Sequence, residues 1–238
     1  MDAGRQRQAI QRLRRRPAWP AFFALLLGGV LIAMATPRLM AGLAVEPHDA
    51  VLREIGKGRA VELSDLLTAA QDYETALTWH ADAETSADLA TLYFVAASLF
   101  PADHVLRQDF LRRAVEHDRE TLQRAPAQTF AWARLALAST NLDGDTAAAR
   151  GALVQSLRRG PWQPALAQLR AGMGLRLWPQ FDAETRALVL IQVRLAAEVD
   201  PRGLASVVPT QALWAVVEQA LIDRPDLLQS LDRYRERR

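Results

Sequence analysis

The sequence predicts an all-α protein, in which a single N-terminal transmembrane helix is followed by an irregular array of α-helices. Three observations lead to this prediction. An uncharged, largely apolar run of 20 residues occupies positions 17–36. After Arg38, apolar residues recur at the three- and four-residue spacing of a helix, with few β-branched runs. Pro126, Pro161 and Pro201 stand 35 and 40 residues apart and bound successive helix pairs.

The apolar run has the length and the flanking charges of a membrane span. At about 1.5 Å per residue it reaches about 30 Å, the thickness of a bilayer core. Six arginines precede it, whereas Arg38 alone follows closely. The positive-inside rule therefore predicts a basic cytoplasmic tail over 1–16, a transmembrane helix over 17–37, and the remaining chain in the periplasm. This places the protein in a bacterial inner membrane.

A cleaved signal peptide is the competing interpretation of the same segment. It would have a basic leader, an apolar core and the small residues Ala33–Ala35 as its cleavage site. The length of the run favours the anchor, because a bilayer needs about 20 apolar residues. Both interpretations export the rest of the chain.

Composition excludes several kinds of site and partner. The chain has no cysteine, which excludes disulfides, thiolate zinc sites and cysteine nucleophiles. Six of its 29 basic residues and one of its 27 acidic residues precede position 17, so the rest carries 23 basic and 26 acidic side chains. Such a body lacks the positive field that binds a phosphate backbone, and we expect no nucleic-acid partner.

The region after the span divides into a linker with a short helix over 38–62 and a helical-repeat domain over 63–238. One helix is predicted over Thr85–Phe100, with Thr85 and Asp88 as a capping box at its start. The next helix begins at Asp103 or His104 and ends near Arg124, before Pro126.

The segment between Pro126 and Pro161 is the clearest helix pair. Its first helix carries an apolar face that begins at Trp132, and a turn over Asn141–Asp145 follows, with Asp145 as the expected N-cap of the second helix. The pair resembles a tetratricopeptide repeat (TPR), although Ser139 stands where that family has tyrosine. The residues that carry the resemblance are Trp132, Leu135, Ala136, Ala148, Ala152 and Pro161.

The TPR resemblance implies an array that binds a protein partner in a groove lined by the first helix of each pair. In that register Phe130, Arg134, Leu137 and Asn141 face the groove. The guanidinium of Arg134 can make a bidentate contact with a carboxylate, which we expect to come from an acidic side chain of the partner or from a uronic sugar. TPR domains that bind a terminal carboxylate of a peptide use lysine and asparagine on this face, and Ala133 and Leu137 stand in those places. That binding mode is therefore not expected.

The second half of the chain, from about Ala133 to Leu204, has a narrower likeness. It is similar to membrane-anchored helical proteins of exopolysaccharide and O-antigen gene regions in alphaproteobacteria. This resemblance implies a role beside the machinery that polymerises or exports a cell-surface polysaccharide.

No residue pattern predicts catalysis, and we expect no catalytic residues, no metal and no cofactor. The four histidines form no H-E-x-x-H pattern. The charged run Glu116–Glu120 is expected to be a solvent-exposed helix face. The predicted function is therefore a non-enzymatic scaffold for protein–protein interaction. The alternative is a glycan-binding protein or a polysaccharide-modifying enzyme with an unrecognised site, for which Trp162, in a turn between two prolines, is a candidate sugar-stacking residue.

Overall fold

A computed structural model describes residues 19–235, except for the side chain of Ala21. The predicted basic tail, 1–16, lies outside the described residues. Within 19–235 the chain forms helices joined by short turns, and this range contains no β-strand. The prediction of an all-α protein with one long apolar N-terminal helix is confirmed.

The helices follow one another along the chain with few residues between them. They are α1 (Trp19–Val45), α2 (Asp49–Gly56), α3 (Leu63–Trp79), α4 (Ala83–Ser98), α5 (Val105–Arg124), α6 (Thr129–Asp143), α7 (Ala147–Arg159), α8 (Pro164–Arg176), α9 (Ala183–Val199), α10 (Pro201–Val207), α11 (Trp214–Ala220) and α12 (Pro225–Arg235).

Helix α1 is long and apolar enough to cross a membrane. Its large apolar side chains are exposed, as with Leu25 at 78% and Ile32 at 69%. Its 27 residues continue through Pro37, eight residues past the end expected for the span. Proline costs the helix one backbone hydrogen bond there. The segment 38–62 thus contains the last turns of α1 as well as α2.

The last turns of α1 pack antiparallel against α3. Ala41 is buried, and it shares a small cavity with Tyr73 near the middle of α3. Arg38, nearer the apolar run, lines the same cavity as His80 at the end of α3. His48, just past α1, has its Nε2 atom 2.6 Å from Oδ2 of Asp72. The end of α3 therefore lies near Arg38, just after the apolar run of α1.

From α3 to α9 consecutive helices pack in antiparallel fashion, in two layers. Helices α4, α6 and α8 lie side by side in one layer, and α7 and α9 lie side by side in the other. Small side chains allow this close packing, with Ala133, Ala136 and Ala149 fully buried. The three short helices α10, α11 and α12 pack against one another and against α8 and α9 at the end of the array.

Two helices begin with N-caps that differ from the predicted ones. Asp82, and not Thr85, caps α4, because its carboxylate accepts the N–H groups of Glu84 and Thr85 at 2.9 Å. Thr146, and not Asp145, caps α7 by accepting the N–H of Ala149 at 3.2 Å. The carboxylate of Asp145 instead pairs with an arginine of α8.

Candidate partner-binding groove

Helices α6 and α8 and the turn after α10 border an open groove of about 570 Å³. Most of its lining comes from one face of α8, where the lining positions recur every three or four residues. The lining residues are Leu137, Ala165, Gln168, Leu169, Gly172, Met173, Arg176, Val207 and Pro209. The groove thus has an apolar floor with polar side chains at its rim.

Close packing and one ion pair fix the shape of the groove. A side chain at Gly172 would place its Cβ 3.0 Å from Cβ of Val207, so α8 and α10 meet without space for a larger residue. At the C-terminal end of α8, Nη2 of Arg176 donates to Oδ1 of Asp145 at 2.7 Å. Both partners of this pair remain partly exposed. Arg176 therefore presents a positive charge at one end of an apolar groove.

The four residues predicted to face a partner occupy different surroundings. Leu137 lines the groove opposite α8. Phe130 is 46% exposed in the first turn of α6, and Asn141 is exposed near the other end of that helix. Neither of them lines the groove. Of the predicted set, the structure brings only Leu137 together with the groove residues of α8.

Arg134 is part of an internal network and is not available to a partner. Its Nη2 donates to Oδ1 of Asp118 at 2.6 Å and to the carbonyl oxygen of Ala87 at 2.8 Å. Its Nε lies 3.1 Å from both carboxylate oxygens of Asp118, and its Nη1 donates to Oγ1 of Thr91 at 2.5 Å. These contacts join α4, α5 and α6. We therefore remove Arg134 from the partner surface.

Asp118 is fully buried, although it belongs to the charged run that was expected to be exposed. Loss of water on burial raises the pKa of its carboxyl to about 6, while the neighbouring Arg134 acts to lower that pKa. The spacing of Asp118 from its apolar neighbours in the sequence could have indicated this burial. Asp118 stands four residues after Ala114 and four before Leu122, on the buried stripe of α5.

A second buried arginine, Arg170, orders the turn between α7 and α8. Its guanidinium donates to Oγ and the carbonyl oxygen of Ser156 at 2.9 and 2.8 Å and to the carbonyl oxygen of Gly160 at 2.7 Å. Burial lowers its pKa to about 10. Gln192 of α9 donates to the carbonyl oxygen of Pro161 at 2.7 Å. The turn is held from two sides, yet its Trp162 is 69% exposed.

A cavity of about 300 Å³ lies where α1 meets α3 and α4. Arg38, Tyr73 and His80 line it together with four carboxylates, those of Asp49, Asp82, Glu84 and Asp88. Burial, with a further contribution from Glu84, raises the pKa of Asp88 to about 6. Among residues 19–235, no group of three or more His, Asp or Glu side chains is placed to hold a metal ion.

The sequence matches no family model, and no curated protein is significantly similar to it. The class of the protein is therefore defined by its structure alone. It is a helical array with one long apolar N-terminal helix and an open apolar groove between helix pairs.

Proposed function

We propose that the protein is a membrane-anchored scaffold whose groove binds a segment of a partner protein. In this proposal α1 spans the bacterial inner membrane, residues 1–16 are cytoplasmic, and the helices from α2 onward are periplasmic. The groove beside α8 is the observation that carries the proposal, because it leaves an apolar floor open on the array.

The chemistry of the groove fits a short amphipathic segment. Leu137 and Leu169 are half-buried and Met173 is buried but borders the opening, so they offer an apolar floor to a few partner side chains. Arg176 at one end pairs with Asp145 but stays partly exposed, so it can also contact an acidic residue of the bound segment. An amphipathic helix that presents apolar residues at helical spacing is the expected occupant.

The resemblance of residues 126–161 to a TPR unit supports protein binding. The likeness of the second half to proteins of polysaccharide gene regions supports a partner that polymerises or exports a cell-surface polysaccharide. The proposed role is non-enzymatic and needs no cofactor. The partner is described only by the chemistry of the segment that would bind, an amphipathic helix with an acidic residue.

Site-specific photocross-linking tests this proposal. A photoreactive amino acid replaces Gln168, an exposed residue at the groove rim, and full-length protein is irradiated in native membranes. We expect a discrete cross-linked protein that disappears when Leu169→Glu puts a charge on the groove floor. The matched control, Leu67→Glu, changes a leucine that is 39% exposed on α3 and should leave the product unchanged.

Persistence of the cross-link in Leu169→Glu, with unchanged helical content, would refute the assignment of the groove. The competing function, glycan binding or modification, rests on exposed Trp162. It predicts saturable binding of an acidic oligosaccharide that Trp162→Ala abolishes and Leu169→Glu does not. That pair of results in calorimetric titrations would favour the glycan function over the scaffold.

A further inference from the structure

Three large aromatic residues are exposed at helix ends along one edge of the array. Trp79 is the last residue of α3, Phe130 lies in the first turn of α6, and Trp162 lies between α7 and α8. Their exposed fractions are 48%, 46% and 69%. Because consecutive helices are antiparallel, these three places fall on the same side of the layer. We call this side, formed by the turns at 80–82, 125–128 and 160–163, the near edge.

The near edge faces the direction in which α1 leaves the array. His48, just past the end of α1, contacts Asp72, and Arg38 shares a cavity with His80, so α1 approaches its apolar part as α3 approaches its end. The apolar run therefore continues past the end of α3, where Trp79 is exposed. Helices α4, α6 and α8 all begin on this side, so their first turns face the same way.

These exposed aromatic side chains lie on segments that tertiary contacts hold in place. Arg170 and Gln192 hold the turn that carries Trp162 through two carbonyl oxygens, each at 2.7 Å. A Cβ at Gly160 would lie 2.9 Å from Oγ1 of Thr129, so this turn packs directly against the start of α6, next to Phe130. The two aromatic residues thus belong to adjoining segments that tertiary contacts fix in place.

The charges along the near edge are consistent with a surface of lipid headgroups. The last turn of α7 contributes Arg158 and Arg159, both exposed, and the end of α5 contributes Arg124. Arg158 forms an exposed ion pair at 3.1 Å with Glu184 in the first turn of α9, toward the opposite edge, so Arg124 and Arg159 supply the positive charge of the near edge. The acidic side chains Asp82 and Glu84 on this edge line the cavity beside α1 together with Arg38. Arginines beside aromatic residues are typical of membrane interfaces.

We infer that the near edge lies on the bilayer that α1 crosses, with Trp79, Phe130 and Trp162 at the boundary between headgroups and acyl chains. Trp and other amphipathic or apolar rings partition to that depth, and arginine reaches lipid phosphates from it. This inference rests on the proposal that α1 spans the membrane. It is independent of what the groove binds, because none of the three aromatic residues lines the groove.

Environment-sensitive labels on single cysteines test this inference, since the native chain has no cysteine. Full-length protein carries a nitrobenzoxadiazole (NBD) label at Ala81 or Ala127 on the near edge, or at Ala102 or Ala147 on the opposite edge. These four alanines are exposed. The protein is reconstituted in vesicles of phosphatidylethanolamine and phosphatidylglycerol, and resistance to alkaline extraction establishes insertion. We expect blue-shifted emission and quenching by doxyl lipids at the near-edge positions alone.

A second set of variants tests whether the aromatic side chains themselves hold the near edge on the lipid, or whether the edge only lies close to it. Changing Trp79, Phe130 and Trp162 to Ser should abolish the blue shift at Ala127 while helical content stays constant. The matched control changes three exposed apolar residues at the opposite edge, Leu99, Val105 and Leu106, to Ser and should leave the shift intact. If the triple variant unfolds, Trp162→Ser alone should still reduce the quenching at Ala127.

Three outcomes would overturn the inference. Water-like emission at both Ala81 and Ala127 would place the near edge in solvent. Equal shifts at Ala127 and Ala147 would show that the array does not rest on this edge. Full extraction of the protein by alkali would refute both the membrane span of α1 and the contact of the near edge with lipid. Loss of groove cross-links with intact emission shifts at the near edge would refute only the scaffold function of the groove.

Discussion

Replacing Arg134 by Met tests whether that residue holds the array together or contacts a partner. Methionine keeps the length and the apolar stem of the side chain and removes the guanidinium. The change leaves the carboxylate of Asp118 buried without its partner and removes the guanidinium donor from Thr91 Oγ1. The carbonyl oxygen of Ala87 loses one of its donors and still accepts from Thr91 Oγ1. We expect α4, α5 and α6 to separate more easily.

The magnitude follows from the burial of the pair. Removing one partner of a buried ion pair costs about 3–5 kcal/mol, because the other charge stays uncompensated. The pKa of Asp118 is already raised to about 6 by burial, and Arg134 acts against that rise. Without Arg134 the carboxyl takes up a proton more readily, which limits the cost. We therefore expect a loss of about 3 kcal/mol near pH 7.

The pH dependence has a definite sign. A carboxyl whose pKa is raised on folding favours the folded state below its unfolded pKa, and this contribution is lost as pH rises through the folded pKa. The destabilisation by Arg134→Met should therefore grow as pH rises above about 6, where Asp118 ionises in the intact protein but holds its proton more tightly without Arg134. It should be smallest in acid, where Asp118 is protonated in both proteins.

Urea unfolding of the full chain in detergent micelles, followed by circular dichroism, measures this cost. Arg112→Met, at an exposed position of α5, is the control and should change the free energy of unfolding by less than about 0.5 kcal/mol. Adding Asp118→Leu to Arg134→Met should recover most of the loss, because no unpaired charge remains. A loss below about 1 kcal/mol near pH 7, combined with loss of the groove cross-link, would restore Arg134 as a ligand residue.

Three further changes probe other buried groups, each by the free energy of unfolding in urea. Asp88→Asn should stabilise the protein by about 1–2 kcal/mol near pH 7, after allowance for partial exposure, because burial raises the pKa of Asp88 to about 6. This gain in stability should vanish below about pH 4, and a gain that grows in acid would contradict the prediction. Arg170→Met should cost about 2–4 kcal/mol, since it strips donors from Ser156 and a carbonyl oxygen; an unchanged midpoint would refute it. Gly174→Ala should cost about 1–3 kcal/mol because its Cβ would lie 2.7 Å from the methyl carbons of Val189, and Val189→Ala should relieve that cost.

Helix positions could be predicted from the sequence where an apolar stripe and a stop signal coincide. The predicted end of α5 at Arg124 agrees with the structure because proline follows two residues later. Helix starts were less accurate where a side chain had a distant partner. Asp145 suits an N-cap locally, but its carboxylate pairs with Arg176, which lies 31 residues further along the chain, and Thr146 caps α7 instead.

The groove could be predicted only in part. The repeat register put Leu137 on the exposed face of α6, and Leu137 lines the groove between α6 and α8, because that surface depends on helical periodicity. The same register assigned Arg134 to a partner because its acceptor, Asp118, lies on another helix and had been expected to face solvent. A charged residue in phase with an apolar stripe is the available signal for such a buried pair. Most of the groove comes from α8, which the repeat resemblance did not include.

Helix α1 continues without a break from its apolar part into the array, and this fixes the distance between the groove and the membrane that α1 is proposed to cross. With α1 in a bilayer and the near edge on its surface, as we infer, the groove begins near the lipid, because α8 starts on the near edge. Its lining residues from Ala165 to Arg176 rise about 17 Å along the helix, at about 1.5 Å per residue. In this arrangement the distance of the groove from the membrane determines which partner segments it can bind. A partner anchored in the same bilayer meets the groove by lateral diffusion, and a short segment beside its own span would be within reach.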